Sequence, residues 1–287
     1  MTPPALEELR AQLGRVVEQQ DVATAAPMRG MSVAFNRKDA MPVEGDAIPP
    51  GWHTAYFLPA IPAWELNADG TPLDNGVLPA MPFPRRMHTG LKVRFVSPIR
   101  VGDALRRENR FSGIEPREGR SGPLFVSTQT RSIFTPRGLA IEEEFTMAHL
   151  PAVEPGAAAP ARQGEPAPQD ATWERTVTPD AINLFRYSAL TFNAHRIHYD
   201  RQWAMDVEGF RGLVVHGMFT AQCLLDLARD RLAATPITEF SFRAGAPLFE
   251  GEPIRLLGRH LPAQRRVDLW AVSPAGTIAT KATVHHE

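Results

Sequence analysis

Cysteine is scarce in this sequence, which contains one, Cys223, in 287 residues. A single cysteine excludes an intrachain disulfide and any metal site built from several thiolates, and we expect Cys223 to be a small buried residue on a helix. An excess of charge of one sign is also absent, because 31 basic residues face 32 acidic residues and the formal net charge is -1. Such a balance provides no overall field that would attract nucleic acid or an anionic membrane.

Long apolar segments are missing as well. No stretch reaches the roughly 20 apolar residues that a membrane-spanning helix needs, and residues 1–21 have neither the basic start nor the apolar middle of a secretory signal. The sequence therefore predicts a cytoplasmic protein, or one in the matrix of an organelle, with no membrane partner. It also contains neither a dinucleotide-binding Gly-x-Gly-x-x-Gly motif nor a P-loop, so we expect no cofactor and no metal.

Proline, in contrast, is abundant at 27 residues, and it clusters in the middle of the chain. Residues 151–171 combine prolines and alanines with almost no large apolar side chain, which is typical of an extended linker. This linker predicts two domains, at residues 1–150 and 172–287. Apolar residues spaced three and four apart from Leu6 to Val17 predict that the first domain opens with a helix.

The second domain carries the clearer pattern. Thr178 and Pro179 predict the start of one helix, and residues 218–232 are apolar on almost every face, which predicts a second helix that is buried. Strand-like segments follow it to residue 285. A buried helix followed by antiparallel strands is the pattern of a hotdog fold. Because the first domain has a similar strand series but a poorly defined helix, the sequence predicts an α+β double hotdog with a degenerate N-terminal copy.

The densest polar cluster lies at residues 191–200, before the buried helix. His195 and His198 stand three residues apart, beside the amide of Asn193 and the carboxylate of Asp200. Adding water to an activated C=C bond requires a group that deprotonates water and a group that protonates carbon, and one histidine can do both in turn because its pKa lies near neutral pH. Such a pair also occurs in exposed loops and in metal sites, but no third ligand motif accompanies this one.

On these residues the sequence resembles the MaoC-like, or hydratase 2, family, whose signature is Ser/Thr-Gly-Asp-x-Asn-Pro-Leu/Ile-His. Aligned on the final histidine, Thr191 takes the hydroxyl position, Ile197 the branched apolar position and His198 the catalytic position. The amino-acid sequence of residues 187–200 is more similar still to one branch of this family. Residues 85–103 and 212–217 also resemble that branch. That branch holds the type-2 hydroxyacyl-thioester dehydratases and the mesaconyl-C4-CoA and itaconyl-CoA hydratases.

The resemblance implies a hydro-lyase that adds water reversibly to the C=C bond of an α,β-unsaturated acyl-CoA. It implies that His198 is catalytic and that the thioester carbonyl docks at the N–H groups of Gly217 and Met218, where a helix N-terminus carries partial positive charge. The signature aspartate is Asn193 here, and an amide cannot accept a proton. We therefore expect Asn193 to orient water or substrate and His195 to assist His198, in a protein that forms a homodimer.

The branch favours a C5 dicarboxyl-CoA substrate, itaconyl-CoA or mesaconyl-C4-CoA, which would become citramalyl-CoA. The free carboxylate of such a substrate needs a cation. The candidates for binding it, or for binding CoA, are Arg196, Arg243 and Arg86, and each could also be an ordinary solvated arginine. One alternative is a (3R)-hydroxyacyl-thioester dehydratase of fatty acid synthesis, with a long apolar acyl group. The alternative from another class is a hotdog protein that binds thioesters without catalysis, which Asn193 favours and His198 opposes.

Overall fold

One antiparallel sheet of ten strands organises the chain, and the computed structural model describes residues 3–73, 76–79, 81–83, 85–119, 122–151, 164–233 and 235–287. The strands are β1 Val16–Val22, β2 Arg85–Phe95, β3 Ala104–Gly119, β4 Gly122–Thr135, β5 Gly138–Leu150, β6 Trp173–Val177, β7 Ile237–Ala244, β8 Ile254–Leu261, β9 Arg266–Val272 and β10 Ile278–His286. The α-helices are α1 Pro3–Arg10, α2 Ala25–Ala34, α3 Ala181–Leu190, α4 Arg201–Asp206 and α5 Gly217–Leu232, and short 3-10 helices occur at Trp52–Ala55, Ala63–Glu65, Arg196–His198 and Pro262–Gln264. Most of the predicted linker, residues 151–171, lies outside the described residues. Among the helices that are described, none combines the length and the apolar character needed to cross a membrane.

The two parts of the chain meet inside this sheet. Its strand order is β1-β3-β4-β5-β2-β7-β10-β9-β8-β6, so the strands before residue 151 form one side and those after residue 172 form the other. At the seam β2 pairs with β7, with Leu91 opposite Phe242. Gly90 fits this seam because a Cβ there would lie 3.2 Å from the carbonyl oxygen of Phe242. The N-terminal part is thereby fixed directly against the part that contains the histidine motif.

Helix α5 forms the centre of the C-terminal part and confirms the predicted buried helix, with its start one residue earlier. It packs on β7, β8, β9 and β10. Leu224, Leu225 and Leu227 are each at most 1% exposed, and Cys223 is also buried, as expected. Burying one leucine side chain contributes about 1.5–3 kcal/mol, so this face holds the helix firmly in front of the sheet.

The predicted N-terminal helix is wrong in its second half. Helix α1 ends at Arg10, and Val16 already begins β1, which pairs with β3 over its whole length. Along β1, side chains alternate between exposed and half-buried, and Val17 packs against the apolar cluster around Phe111. Long-range pairing with β3 thus overrides the helical spacing of the apolar residues.

Helix α3 leads into the histidine motif, and it begins at Ala181 rather than at Thr178 and Pro179. The reason is a capping box, in which Asn183 N donates to Asp180 Oδ1 (2.8 Å) and Asp180 N donates to Asn183 Oδ1 (3.1 Å). After α3 the chain turns sharply, runs through the histidine motif at residues 191–200 and then continues to α5.

Candidate active site

His198 is the central group of the candidate site and ends the short helix Arg196–His198. Its Nδ1 lies 2.7 Å from the carbonyl oxygen of Val214. Because a carbonyl only accepts hydrogen bonds, Nδ1 carries the proton and Nε2 has a free lone pair. Burial lowers the pKa of His198 to about 3, although the bond to Val214 opposes that shift. The ring is therefore neutral near pH 7 and leaves Nε2 unprotonated, while burial makes it a weaker base than the near-neutral histidine that the sequence predicted.

His216 stacks on His198, with ring centroids 3.7 Å apart and planes inclined by 20°. Its Nε2 is hydrogen bonded to Ser188 Oγ at 2.8 Å, and its Nδ1 is buried without a partner in the described part of the chain. Burial, followed by the neighbouring His198, holds the pKa of His216 well below its usual range. Sequence reasoning missed His216 and Ser188; the available signal was a histidine directly before the glycine that starts the buried helix.

The N-terminus of α5 opens directly after His216. The first bond of the helix runs from Thr220 N to His216 O (3.1 Å), so the N–H groups of Gly217 and Met218 precede the helical bonding pattern. Within the described residues, no side chain caps this end. Gly217 is not in the left-handed region, and a Cβ there would meet no atom of a described residue within 4 Å. Neither backbone conformation nor packing requires a glycine at this position. The effect of having no side chain here is that the space beside the N–H groups of Gly217 and Met218 stays open.

The loop that carries the motif is shaped by its backbone. Phe192, at the position where the signature has glycine, adopts a left-handed φ of 52°, a conformation that costs a residue with a side chain about 1–2 kcal/mol. Asn193 then makes two hydrogen bonds within the loop. Its side-chain Oδ1 accepts from the backbone N of His195 (3.1 Å), and its backbone N donates to the carbonyl oxygen of Ser188 (2.8 Å). Asn193 therefore orients the histidine segment in this structure.

His195 lies beside His198, with ring centroids 5.5 Å apart and planes nearly perpendicular. Its Nε2 is 3.9 Å from Asp69 Oδ2 of the N-terminal part. Burial lowers the pKa of His195, while the carboxylates of Asp69 and Glu208 act in the opposite direction. Asp69 was not among the predicted site residues, because no sequence pattern connects it with a motif more than a hundred positions further along.

Asp69, His195 and Glu208 form the one group among the described residues whose ligand atoms lie close enough to consider a metal, all within 4.8 Å of one another. Donors around an ion at about 2.1 Å lie roughly 3.4 Å apart in a tetrahedral site. These side chains would therefore have to move closer to hold an ion, and the absence of a metal stays a prediction.

Arg196 is engaged by the protein itself. Its Nη2 donates to Asp200 Oδ2 (2.6 Å), its Nη1 donates to the carbonyl oxygen of Ala68 (3.2 Å), and its guanidinium lies over the ring of Trp203 at 3.9 Å. The guanidinium thus has a carboxylate, a carbonyl and an aromatic ring as partners. Through them it joins the histidine motif to α4 and to the loop of the N-terminal part that contains Ala68. The structure thus gives Arg196 partners other than a substrate carboxylate.

The other two candidate arginines lie elsewhere. Arg86 donates to the carbonyl oxygens of Pro72 (3.0 Å) and Leu73 (3.4 Å). Arg243 is exposed on β7, next to the buried Phe242, and successive strand residues point to opposite faces. Arg243 therefore faces away from the side of the sheet that α5 covers, and no described contact joins these arginines to His198.

The fold of this chain is shared with solved hotdog proteins. A MaoC-like dehydratase from Phytophthora capsici superimposes with a TM-score of 0.76 at 15% identity, covering 97% of each chain. This likeness confirms the predicted hotdog fold, and the division of the chain into two hotdog units stays a prediction. Residues 51–250 match the model of the family described as hydroxyacyl-thioester dehydratase type 2. The chain belongs to this family.

Two relatives extend the comparison, one of them over nearly the whole chain. Mesaconyl-C(4)-CoA hydratase of Chloroflexus aurantiacus is 43% identical over 275 residues, which is 96% of each sequence. The mitochondrial hydroxyacyl-thioester dehydratase type 2 of Schizosaccharomyces pombe is 28% identical over 235 residues, covering 73% of this chain and 77% of the relative. The family resemblance inferred from the motif is thereby confirmed.

Proposed function

We propose that this protein is a hydro-lyase that adds water reversibly to the C=C bond of an α,β-unsaturated acyl-CoA. The observation that carries the proposal is the neutral His198, which stacks on the residue directly before the open N-terminus of α5 and whose Nε2 has no hydrogen-bond partner among the described residues. A base for water thus stands beside donors for a thioester oxygen. The 43% identity to a relative named as a hydratase supports the same reaction.

The reaction follows from these two elements. His198 Nε2 takes a proton from water as the water oxygen bonds to Cβ, and the π electrons move toward the thioester oxygen. The N–H groups of Gly217 and Met218 stabilise the negative charge that develops there, where helix N-termini favour anions. An acid of the site then delivers a proton to Cα, and the proton on His198 returns through solvent to that acid, which completes the hydration without a cofactor. The reverse sequence is the dehydration of a hydroxyacyl thioester.

For the substrate we propose a C5 dicarboxyl-CoA, mesaconyl-C4-CoA or itaconyl-CoA, with citramalyl-CoA as product. The full-length similarity to mesaconyl-C(4)-CoA hydratase supports this choice. A hydroxyacyl-thioester dehydratase is the second candidate, because the family model and the fission-yeast relative carry that description.

We also propose that the protein acts as a homodimer and that residues 1–150 and 172–287 are two hotdog units; the cytoplasmic location stays a prediction.

The substrate is tested by incubating purified protein with mesaconyl-C4-CoA, itaconyl-CoA, crotonyl-CoA and a long-chain enoyl-CoA, while the absorbance of the enoyl thioester is followed. We expect the highest kcat/KM with a dicarboxyl substrate. Preference for crotonyl-CoA or the long chain would assign the protein to the dehydratase alternative. Binding of all four thioesters without turnover would identify a non-catalytic hotdog protein.

The role of Arg196 leads to a second prediction. Arg196→Gln should lower kcat/KM for mesaconyl-C4-CoA and crotonyl-CoA by similar factors and lower the Tm, because the guanidinium joins Asp200, Ala68 and Trp203. The measurement is a parallel determination of kcat/KM for both substrates and of Tm. A KM increase confined to the dicarboxyl substrate would instead show that Arg196 contacts its free carboxylate.

A further inference from the structure

The replacement of the signature aspartate by Asn193 leaves the site without its second proton-transfer group. His216 does not fill this place, because its Nε2 is bonded to Ser188, its Nδ1 is enclosed and the residue is 2% exposed. His195 does offer a nitrogen near His198, and its side chain is 26% exposed. Among the described residues that surround His198, His195 is therefore the histidine that a bound substrate can reach.

Asp69 approaches His195 from the N-terminal part of the chain, on a loop that is fixed in place. One carboxylate oxygen, Oδ1, accepts from the N (2.8 Å) and Oγ1 (2.7 Å) of Thr71. The carbonyl oxygen of Asp69 accepts from Arg196 N at 2.8 Å. The second carboxylate oxygen, Oδ2, faces the imidazole and lies 3.9 Å from His195 Nε2.

Gly70 shows how closely this loop fits the motif. Its φ is +85°, and a Cβ at this position would lie 1.8 Å from the carbonyl oxygen of Ala194. A residue with a side chain is excluded here both by the backbone conformation and by the contact. The loop therefore presses directly on the residue before His195, which sets the position of Asp69 relative to the imidazole.

We propose that Asp69 is a positioning residue that acts through His195, and that this pair takes the role of the aspartate that Asn193 replaces. The inference rests on the proposed hydration. Asp69 stabilises the imidazolium form of His195, which donates its proton to Cα while His198 Nε2 receives the proton that water loses. The proton then returns from His198 to His195 through solvent, so that atoms and charge balance over one turnover.

This arrangement predicts a pH dependence. Among the described residues, the charged and titratable groups that face His195 are Asp69 from the N-terminal loop, Glu208 after α4, His198 on the motif itself and His216 before α5. Burial disfavours the imidazolium and the two carboxylates favour it, so loss of Asp69 lowers the pKa of His195. Because the donor must be protonated, kcat declines as pH rises, and Asp69→Asn moves this decline to lower pH.

The test compares wild-type protein with Asp69→Asn, which retains an oxygen for Thr71. We expect the alkaline decline of kcat to move by about one pH unit, with a loss of about tenfold in kcat on that limb and little change in KM. Asp69→Glu should restore much of the wild-type profile. In a His195→Gln background, Asp69→Asn should have no further effect, because the two residues act as one unit.

Asp46→Asn is the matched control, since Asp46 Oδ2 also accepts from a loop N–H, that of Val43 (2.8 Å), and the pH profile of this variant should equal that of the wild type. An Asp69→Asn protein with an unmoved pH profile overturns the inference. Wild-type activity that a chelator removes and zinc or magnesium restores also overturns it, because the group would then hold a metal. Absence of turnover in wild-type protein with every enoyl-CoA would refute the proposed function instead.

Discussion

Replacing His198 with asparagine is expected to lower kcat by a factor of about 100 to 10,000, the usual contribution of a positioned acid or base. Asparagine suits this test because its amide N–H can donate to the carbonyl of Val214 in place of Nδ1. The variant therefore removes the Nε2 lone pair and retains the contact that orients the side chain. The measurement is kcat with the best enoyl-CoA substrate, together with the Tm.

The control for this variant is His285→Asn, which changes an exposed histidine on β10. Its kcat and Tm should equal those of the wild type. If His198→Asn is folded and remains active, water is deprotonated by another group, and His195 is then the first residue to examine. A variant that fails to fold would show as a large loss of Tm and is distinguished from a catalytic effect in that way.

The parts of this structure that sequence could predict are those with local signals. The apolar residues at 218–232 predict α5 because a helix that is apolar on nearly every face has to be buried. The histidine motif predicts His198 because its residue types and spacing are specific. Arg196 also had a local signal that was not used: Asp200 stands four residues later, at the spacing of an intrahelical ion pair.

Other parts depend on contacts between distant residues. Asp69 lies near His195 only because the loop around Gly70 packs against the loop around Ala194. No residue pattern in either loop predicts that contact. The N-terminal half is hard to predict for another reason, since its buried strand positions include polar side chains. Glu143 on β5 is hydrogen bonded to His53 at 2.9 Å, and both are buried. Such pairs interrupt the apolar alternation by which a strand is normally identified.

The second large effect is expected at Gly217. Gly217→Ala should lower kcat/KM on the order of 100-fold, because the new methyl group occupies the open space where the thioester oxygen approaches the donors of α5, and a displacement of about 1 Å in a reacting group has effects of this size. The protein should fold normally, since a Cβ there meets no atom of the described part of the chain within 4 Å and alanine is a better helix former than glycine.

Gly212→Ala provides the matched control, because Gly212 belongs to the same segment and its Cβ would meet only the end of the Arg201 side chain, at 3.4 Å. This control should retain wild-type kcat/KM. The measurements are kcat/KM and Tm for both variants. A Gly217→Ala protein with unchanged Tm and lowered kcat/KM places the thioester at the helix N-terminus, since the added methyl group displaces none of the described residues. Unchanged kcat/KM in this variant would mean that the thioester docks elsewhere, and that Gly217 is dispensable for catalysis as well as for folding.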